Sequence, residues 1–261
     1  VGGADFDNDT LASVGRGSTL RAGTAGSVSL TAALDEDVDV TAFAGTGGIV
    51  AVDAAVALIS STGAVQAGLD DEVAIERANA VDIAADDTRR LEAETTGVSV
   101  GVVAAGASVT GSTIGGGATA SIGDEVAIGQ VAGDTVGELH VLADASHTAV
   151  ATALAAKGGL GLAASGTVAD AVVDTNVSAS IGDDARIKVA RTVEVDANSA
   201  GAARADATGI NVSLGGAVGA SIARATLSPT VSATVGQRNL IDAALPAYRE
   251  LVRTTRQNQQ W

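Results

Sequence analysis

Five near-copies of one eight-residue motif, spaced at almost constant intervals, constrain this chain more than any other feature. The clearest are Ser121-Ile122-Gly123-Asp124-Glu125-Val126-Ala127-Ile128 and Ser180-Ile181-Gly182-Asp183-Asp184-Ala185-Arg186-Ile187. Residues 234–241 and 68–75 follow the same plan, and residues 13–20 follow it loosely. Each copy carries an aliphatic residue and a second one six positions on. The anchors fall at 14, 69, 122, 181 and 235, so the spacings are 55, 53, 59 and 54 residues. A fixed period of this length marks a repeat architecture. After each of the first four copies comes a second motif: Val28-Ser29-Leu30, Val81-Asp82-Ile83, Leu139-His140-Val141 and Val193-Glu194-Val195. Its apolar–polar–apolar order is the period of two expected of a strand with one buried face.

A third element occupies mid-repeat. Ile210, Val212, Leu214, Gly216, Val218, Ala220 and Ile222 alternate with Asn211, Ser213, Gly215, Ala217, Gly219, Ser221 and Ala223. Related stretches begin at Val50, Val98 and Leu160. One face is aliphatic and the other is very small, so the small face suits close approach of another layer or a flat surface for assembly. Alanine favours helix. Interspersed glycine and β-branched residues oppose it, and the period of 3.6 is poor, so strand is the better reading.

Repeats of about 54 residues made of short strands predict an all-β chain, a parallel β-solenoid of four to five repeats. Each repeat would make about two coils of roughly 27 residues, and eight or nine coils would give a rod about 40 Å long. Aliphatic ladders buried between coils need no aromatic residues. The chain has four: Phe6, Phe43, Tyr248 and Trp261. The alternative is an antiparallel β-sandwich of long hairpins. Three regions follow: an acidic segment over residues 1–11, the repeats over 12–242, and a tail over 243–261. In the tail, Pro246 suits a first helical position, and Leu245, Tyr248, Leu251 and Val252 stand at helical spacing, which predicts a short helical cap or linker.

The chain has no cysteine, so it has no disulfides and no thiolate metal site. Acids outnumber Lys and Arg 31 to 15, a net charge of −16 with few aromatics, which argues against nucleic-acid binding. The uncharged run 97–123 is rich in Gly, Ser and Thr and does not read as a membrane span. With no methionine, the chain is expected to be a processed product or a piece of a longer one.

The runs GINVSLGGAVGASIARATLSPTVSATVG and ATASIGDEVAI follow one plan: a Gly-rich alternating strand, then Ala-Ser-Ile-Gly-Asp, then an aliphatic residue. Over residues 10–242 this pattern resembles the repetitive regions of very large secreted bacterial surface proteins, including filamentous-haemagglutinin-like adhesins. The resemblance implies a β-helical stalk or filament, location outside the cell or at its surface, and adhesion or matrix building. Its implied partners are further copies, neighbouring domains of a larger protein, or a host-surface or glycan ligand. It brings no catalytic residues.

Calcium is the one cofactor the sequence suggests, because clustered carboxylates offer oxygens to a hard cation. The candidate ligands are Asp5, Asp7 and Asp9 in a D-x-D-x-D run, Asp35 and Asp37 in a second cluster, and the acids that recur in the repeat: Asp70, Asp71, Asp124 and Asp183. Successive copies of the last group would lie about 10 Å apart if each repeat made two coils. The competing reading is a charged turn that keeps one edge soluble. No enzymatic motif is present, and a third reading, a β-solenoid that cleaves polysaccharide with paired carboxylates, is opposed by the scarcity of aromatic and cationic side chains to hold sugar. Ser146, His147 and Asp144 make a triad only on paper, because a triad is spatial and needs an oxyanion hole.

Overall fold

The computed structural model describes residues 1–23 and 25–243, with the backbone of 251–256. These residues are all-β. The strands are β1 (Gly2–Phe6), β2 (Thr10–Val14), β3 (Thr19–Arg21), β4 (Val28–Ser61), β5 (Ala64–Leu69), β6 (Ala74–Ile114), β7 (Gly117–Ile122), β8 (Ala127–Ile128), β9 (Val136–Val173), β10 (Asn176–Ile181), β11 (Arg186–Val189), β12 (Val193–Ser213), β13 (Gly216–Leu227), β14 (Thr230–Val235), β15 (Leu240–Ala243) and β16 (Leu251–Arg256). They form an 11-stranded sheet and a 5-stranded sheet, the latter in the order β14-β10-β7-β5-β2. Every pairing among the described residues is parallel, which sets aside the antiparallel sandwich.

The register follows the sequence repeat. Val14, Leu69, Ile122, Ile181 and Val235 are partners in successive strands of the smaller sheet. Leu20, Ile75, Ile128, Ile187 and Ile241 do the same in the larger one. Val28, Val81, Leu139 and Val193 form a third ladder. Adjacent layers are therefore one whole repeat apart, and the expected two coils per repeat are replaced by one long layer. The single longer spacing comes from an insertion: Ile128 to Leu139 spans 11 positions where Ile75 to Val81 spans 6. Asp134, inside that insertion, is held by Arg21 at 2.8 Å and by Arg77.

The long strands explain how one layer absorbs so many residues. Within β6 the chain runs out and comes back, because side chains 15 residues apart face each other: Thr95 Oγ1 lies 2.7 Å from Thr110 Oγ1. Ser112 Oγ likewise donates to the Leu91 carbonyl at 3.2 Å. Each repeat thus projects an arch with an outgoing and a return arm, and arches of successive layers stack into a blade. The reversal lies near Gly48, Gly101 and Gly159, and in the last layer between β12 and β13. Glycine is required there. A Cβ on Gly101 would sit 2.5 Å from the Gly48 carbonyl oxygen, and one on Gly215 would sit 2.1 Å from that of Gly161.

Two apolar cores result. The first gathers the anchor ladders, with Leu69, Ile75, Ile122, Ile128, Ile181 and Ile187 almost fully buried. The second lies between the arch arms and is largely alanine, with Leu91, Ile114 and Val173. Farther out, the inward line becomes Thr95, Ser99, Ser108 and Thr110, all buried. The outward line becomes aliphatic: Val100 is 61% exposed, Leu160 67% and Leu162 44%. Here the small face is the buried one, in the close approach to another layer that its side chains suit. Arms that face each other this closely have room only for small side chains, so the larger ones are turned outward.

The tail also departs from expectation. Leu251–Arg256 is a strand paired with residues 194–199 of β12, not part of a helix. An open parallel edge offers hydrogen bonds to any segment that can extend, and the sequence there contains Val252, Thr254 and Thr255, which favour strand. Pro246 and Tyr248 lie outside the described residues.

Candidate functional site

The recurrent acids sit at the turn that follows each anchor. In four copies a non-glycine residue there is left-handed: Glu72, Glu125, Asp184 and Arg238, with φ of 56–58°, and Gly17 holds the equivalent place at 70°. This conformation costs about 1–2 kcal/mol at a residue other than glycine. A relay of carboxylates offsets it. Asp71 Oδ1 accepts from the Asp124 amide at 2.9 Å, Asp124 Oδ1 from the Asp183 amide at 2.7 Å, and Asp183 Oδ1 from the Gln237 amide at 2.7 Å. Each acid fixes the turn of the next layer. Because neighbouring copies are one layer apart, not two, their separation is about 4.8 Å, which makes this relay possible. Salt bridges add to the edge: Arg16 to Glu72 at 2.5 Å and Arg238 to Asp184 at 2.6 Å. Hydrogen bonds from these arginines hold the Glu72 and Asp184 carboxyls below their usual range.

The other candidate ligands are spread out. Asp5 is exposed on β1, Asp7 and Asp9 are exposed in the following loop, and Asp70 is exposed beside the turn. Asp9 Oδ1 accepts from the Ala64 amide at 2.8 Å. Asp35 and Asp37 point outward from β4, and Asp37 and Asp39 meet Arg90 at 3.1 and 3.2 Å. Among the described residues, no three His, Asp or Glu side chains converge in a way that could hold a metal ion.

The paper triad also separates. Strand alternation turns Asp144 and Ser146 to the exposed outer face, while His147 is buried on the inner one. His140 faces outward, its Nδ1 2.8 Å from Asp82 Oδ1.

What sequence reading missed lies inside the arches, where charged groups are buried in pairs. In register across three layers stand Glu36, Arg89 and His147, at the neck between the two cores. Arg89 is wholly enclosed. Its Nε and Nη2 donate to the two oxygens of Asp87 at 2.8 and 2.9 Å. Its Nη1 donates to Ser61 Oγ at 3.2 Å and to the Gly115 carbonyl at 2.9 Å, and Nη2 also reaches the Gly63 carbonyl. Ser61 Oγ in turn donates to Glu36 Oε2 at 2.9 Å. His147 Nε2 lies 2.9 Å from Asp87 Oδ2, but the angle falls short of a hydrogen bond. The guanidinium thus satisfies loop carbonyls where the chain leaves the arch for the smaller sheet.

Farther out, Lys157 Nζ contacts Asp53 Oδ1, with both side chains fully buried. Asp53 belongs to the first arch and Lys157 to the third. The arch between them places glycine at both crossing points. A Cβ on Gly106 would lie 1.6 Å from Asp53 Oδ1, and one on Gly97 would lie 3.3 Å from Lys157 Nζ. A legible signal existed: Asp53 is the only charge between residues 40 and 69, and Lys157 the only one between 145 and 169.

On the outer face Asp86 and Asp144 form an acid pair in register. Partial burial first, and the Asp144 charge second, push the Asp86 carboxyl up. A carboxyl raised in the folded state favours folding when protonated and loses that contribution as pH rises through its folded value. Asp86→Asn is therefore expected to raise the melting temperature at pH 7. The gain should close as the pH falls below about 4, the ordinary aspartate range. Melting curves at both pH values check this.

The chain matches no known protein family, no curated protein and no solved structure. No helix among the described residues is long and apolar enough to cross a membrane, which says nothing of a β-barrel.

Proposed function

We propose that this chain is a parallel β-solenoid segment that serves mechanically, as a stalk or filament element of a bacterial adhesin outside the cell. The observation that carries this reading is the in-register ladder 14–69–122–181–235, in which each repeat templates the next along one axis. Residue identity at the turns, at the neck and at the arch tips goes into fixing that stack. A strand ladder loaded along its length shares force over many backbone hydrogen bonds, which suits a spacer. The turn acids support the mechanical reading over calcium-dependent glycan binding, because their carboxylates are committed to backbone amides of the next layer.

Thermal melting with 2 mM calcium and with chelator tests the choice. The mechanical reading expects the same melting temperature in both. A rise of several degrees in calcium alone, abolished by Asp124→Asn, would favour the binding module instead.

A further inference from the structure

We propose that the aliphatic outer face of the arch return arms is an association surface for a second copy of this chain. Soluble chains rarely leave a contiguous apolar patch of this kind uncovered. Its exposure is not an effect of the outermost layers: Leu162 and Val168 belong to an arch stacked on both sides and are still 44% and 37% exposed. Between Val50 and Val56, and at the positions in register with them in the other three arches, the outward line carries only Gly, Ala, Val, Leu and Ile.

The relief of this face points to an identical partner. A ridge runs across the layers from Val56 through Val168 to Ile222. One outward position away lies a groove of alanine and glycine, from Ala54 through Gly166 to Ala220. A two-fold axis lying in the face, parallel to the stack and midway between ridge and groove, sets the ridge of each copy into the groove of the other. Both surfaces repeat every ~4.8 Å along the stack, so the fit continues through all layers. Interdigitated sheets of small and β-branched residues form dry interfaces of this sort. A lipid surface is the less suited occupant, since the chain carries −16 and Arg224, the cation beside the ridge, stands in register with Asp170.

The area sets the strength. Four strands about 4.8 Å apart and seven residues at about 3.3 Å each give roughly 400 Å² of face per copy. Stable interfaces take about 800 Å² per partner, so one face gives a weak, concentration-dependent pair. The outgoing arms are apolar on the opposite side of the same blade, at Val100, Ile210 and Val212. A chain engaged on both sides reaches the larger figure, so association does not stop at two. The inference rests on the exposed face and does not depend on the stalk reading.

Sedimentation velocity of the chain from about 5 to 500 μM tests it, beside Leu162→Asp/Val168→Asp with folding checked by circular dichroism. The expected result is a sedimentation coefficient that climbs with concentration in the parent and an association at least tenfold weaker in the variant. Because the chain has no cysteine, Val168→Cys labelled with pyrene gives a second readout, with excimer emission expected as concentration rises. A parent that stays monomeric throughout, whether or not it floats with neutral phosphatidylcholine vesicles, overturns the proposal. So does association of parent and variant alike, or association without excimer.

Discussion

Arg89→Ala is expected to cost about 3–5 kcal/mol of folding stability, the range for removing one partner of a buried charge pair. Small domains hold only about 5–15 kcal/mol in total, so the loss takes a large share of what is available. The reason is what remains behind. Asp87 loses both of its guanidinium donors, and the Gly63 and Gly115 carbonyls lose theirs, in a site with almost no access to water. Asp87→Leu in the Arg89→Ala background should recover part of the loss, because the uncompensated carboxylate goes and Leu34 already occupies the equivalent position one layer up. Urea unfolding of the parent, the two single variants and the double variant checks this. A single variant within 1 kcal/mol of the parent, or two losses that simply add, would mean that the neck network carries no coupled stability.

Gly106→Ala is the second large effect. Its Cβ would lie 1.6 Å from Asp53 Oδ1 and 2.7 Å from the Asp53 carbonyl oxygen. Backbone sits on one side of that clash, so relief requires moving the whole arm and parting Asp53 from Lys157. The expected loss is about 3–5 kcal/mol, again that of a buried ion pair broken on one side. Gly97→Ala is the control. Its nearest contacts are the Ser108 hydroxyl at 2.9 Å, the Asp53 carboxylate at 3.2 Å and the Lys157 ammonium at 3.3 Å, all side-chain ends that can shift. It should cost clearly less. The triple change Asp53→Ala/Gly106→Ala/Lys157→Met removes the side-chain clash and both charges but leaves the contact with the residue 53 carbonyl, so it should recover only part of the loss. Melting temperatures of the three variants order these expectations, and equal losses at positions 97 and 106 would contradict them.

The stacking direction was legible because the repeat anchors are also the register. Five aliphatic positions read from the sequence became five partners in one ladder, and the triplets at 28, 81, 139 and 193 became another. The length of a layer was not legible. Alternation with a period of two runs unbroken through the arch, so nothing in it marks where the chain reverses except the glycines at 47–48, 101 and 158–159, which resemble the many other glycines. Nor does alternation say which face is inside. At Val100 and Leu160 the narrow gap between arms decided for the small residues. The buried charges escaped for a related reason. Arg89 sits in Asp86-Asp87-Thr88-Arg89-Arg90, which reads as a solvated face, and the partner of Lys157 is 104 positions away. The turn acids were found as a pattern, but their work on the next layer's amides depends on one repeat per layer.

That spacing is the central claim, and a disulfide tests it most directly. Thr88 and Ser146 are exposed partners in adjacent parallel strands. Their Cα separation, near the ~4.8 Å strand spacing, lies within the range a disulfide can bridge. In the cysteine-free chain, Thr88→Cys/Ser146→Cys should close a bond under mild oxidation, while Thr88→Cys/Gly115→Cys, half a repeat apart, should not. Efficient closure of the second pair and failure of the first would contradict the stack of one repeat per layer.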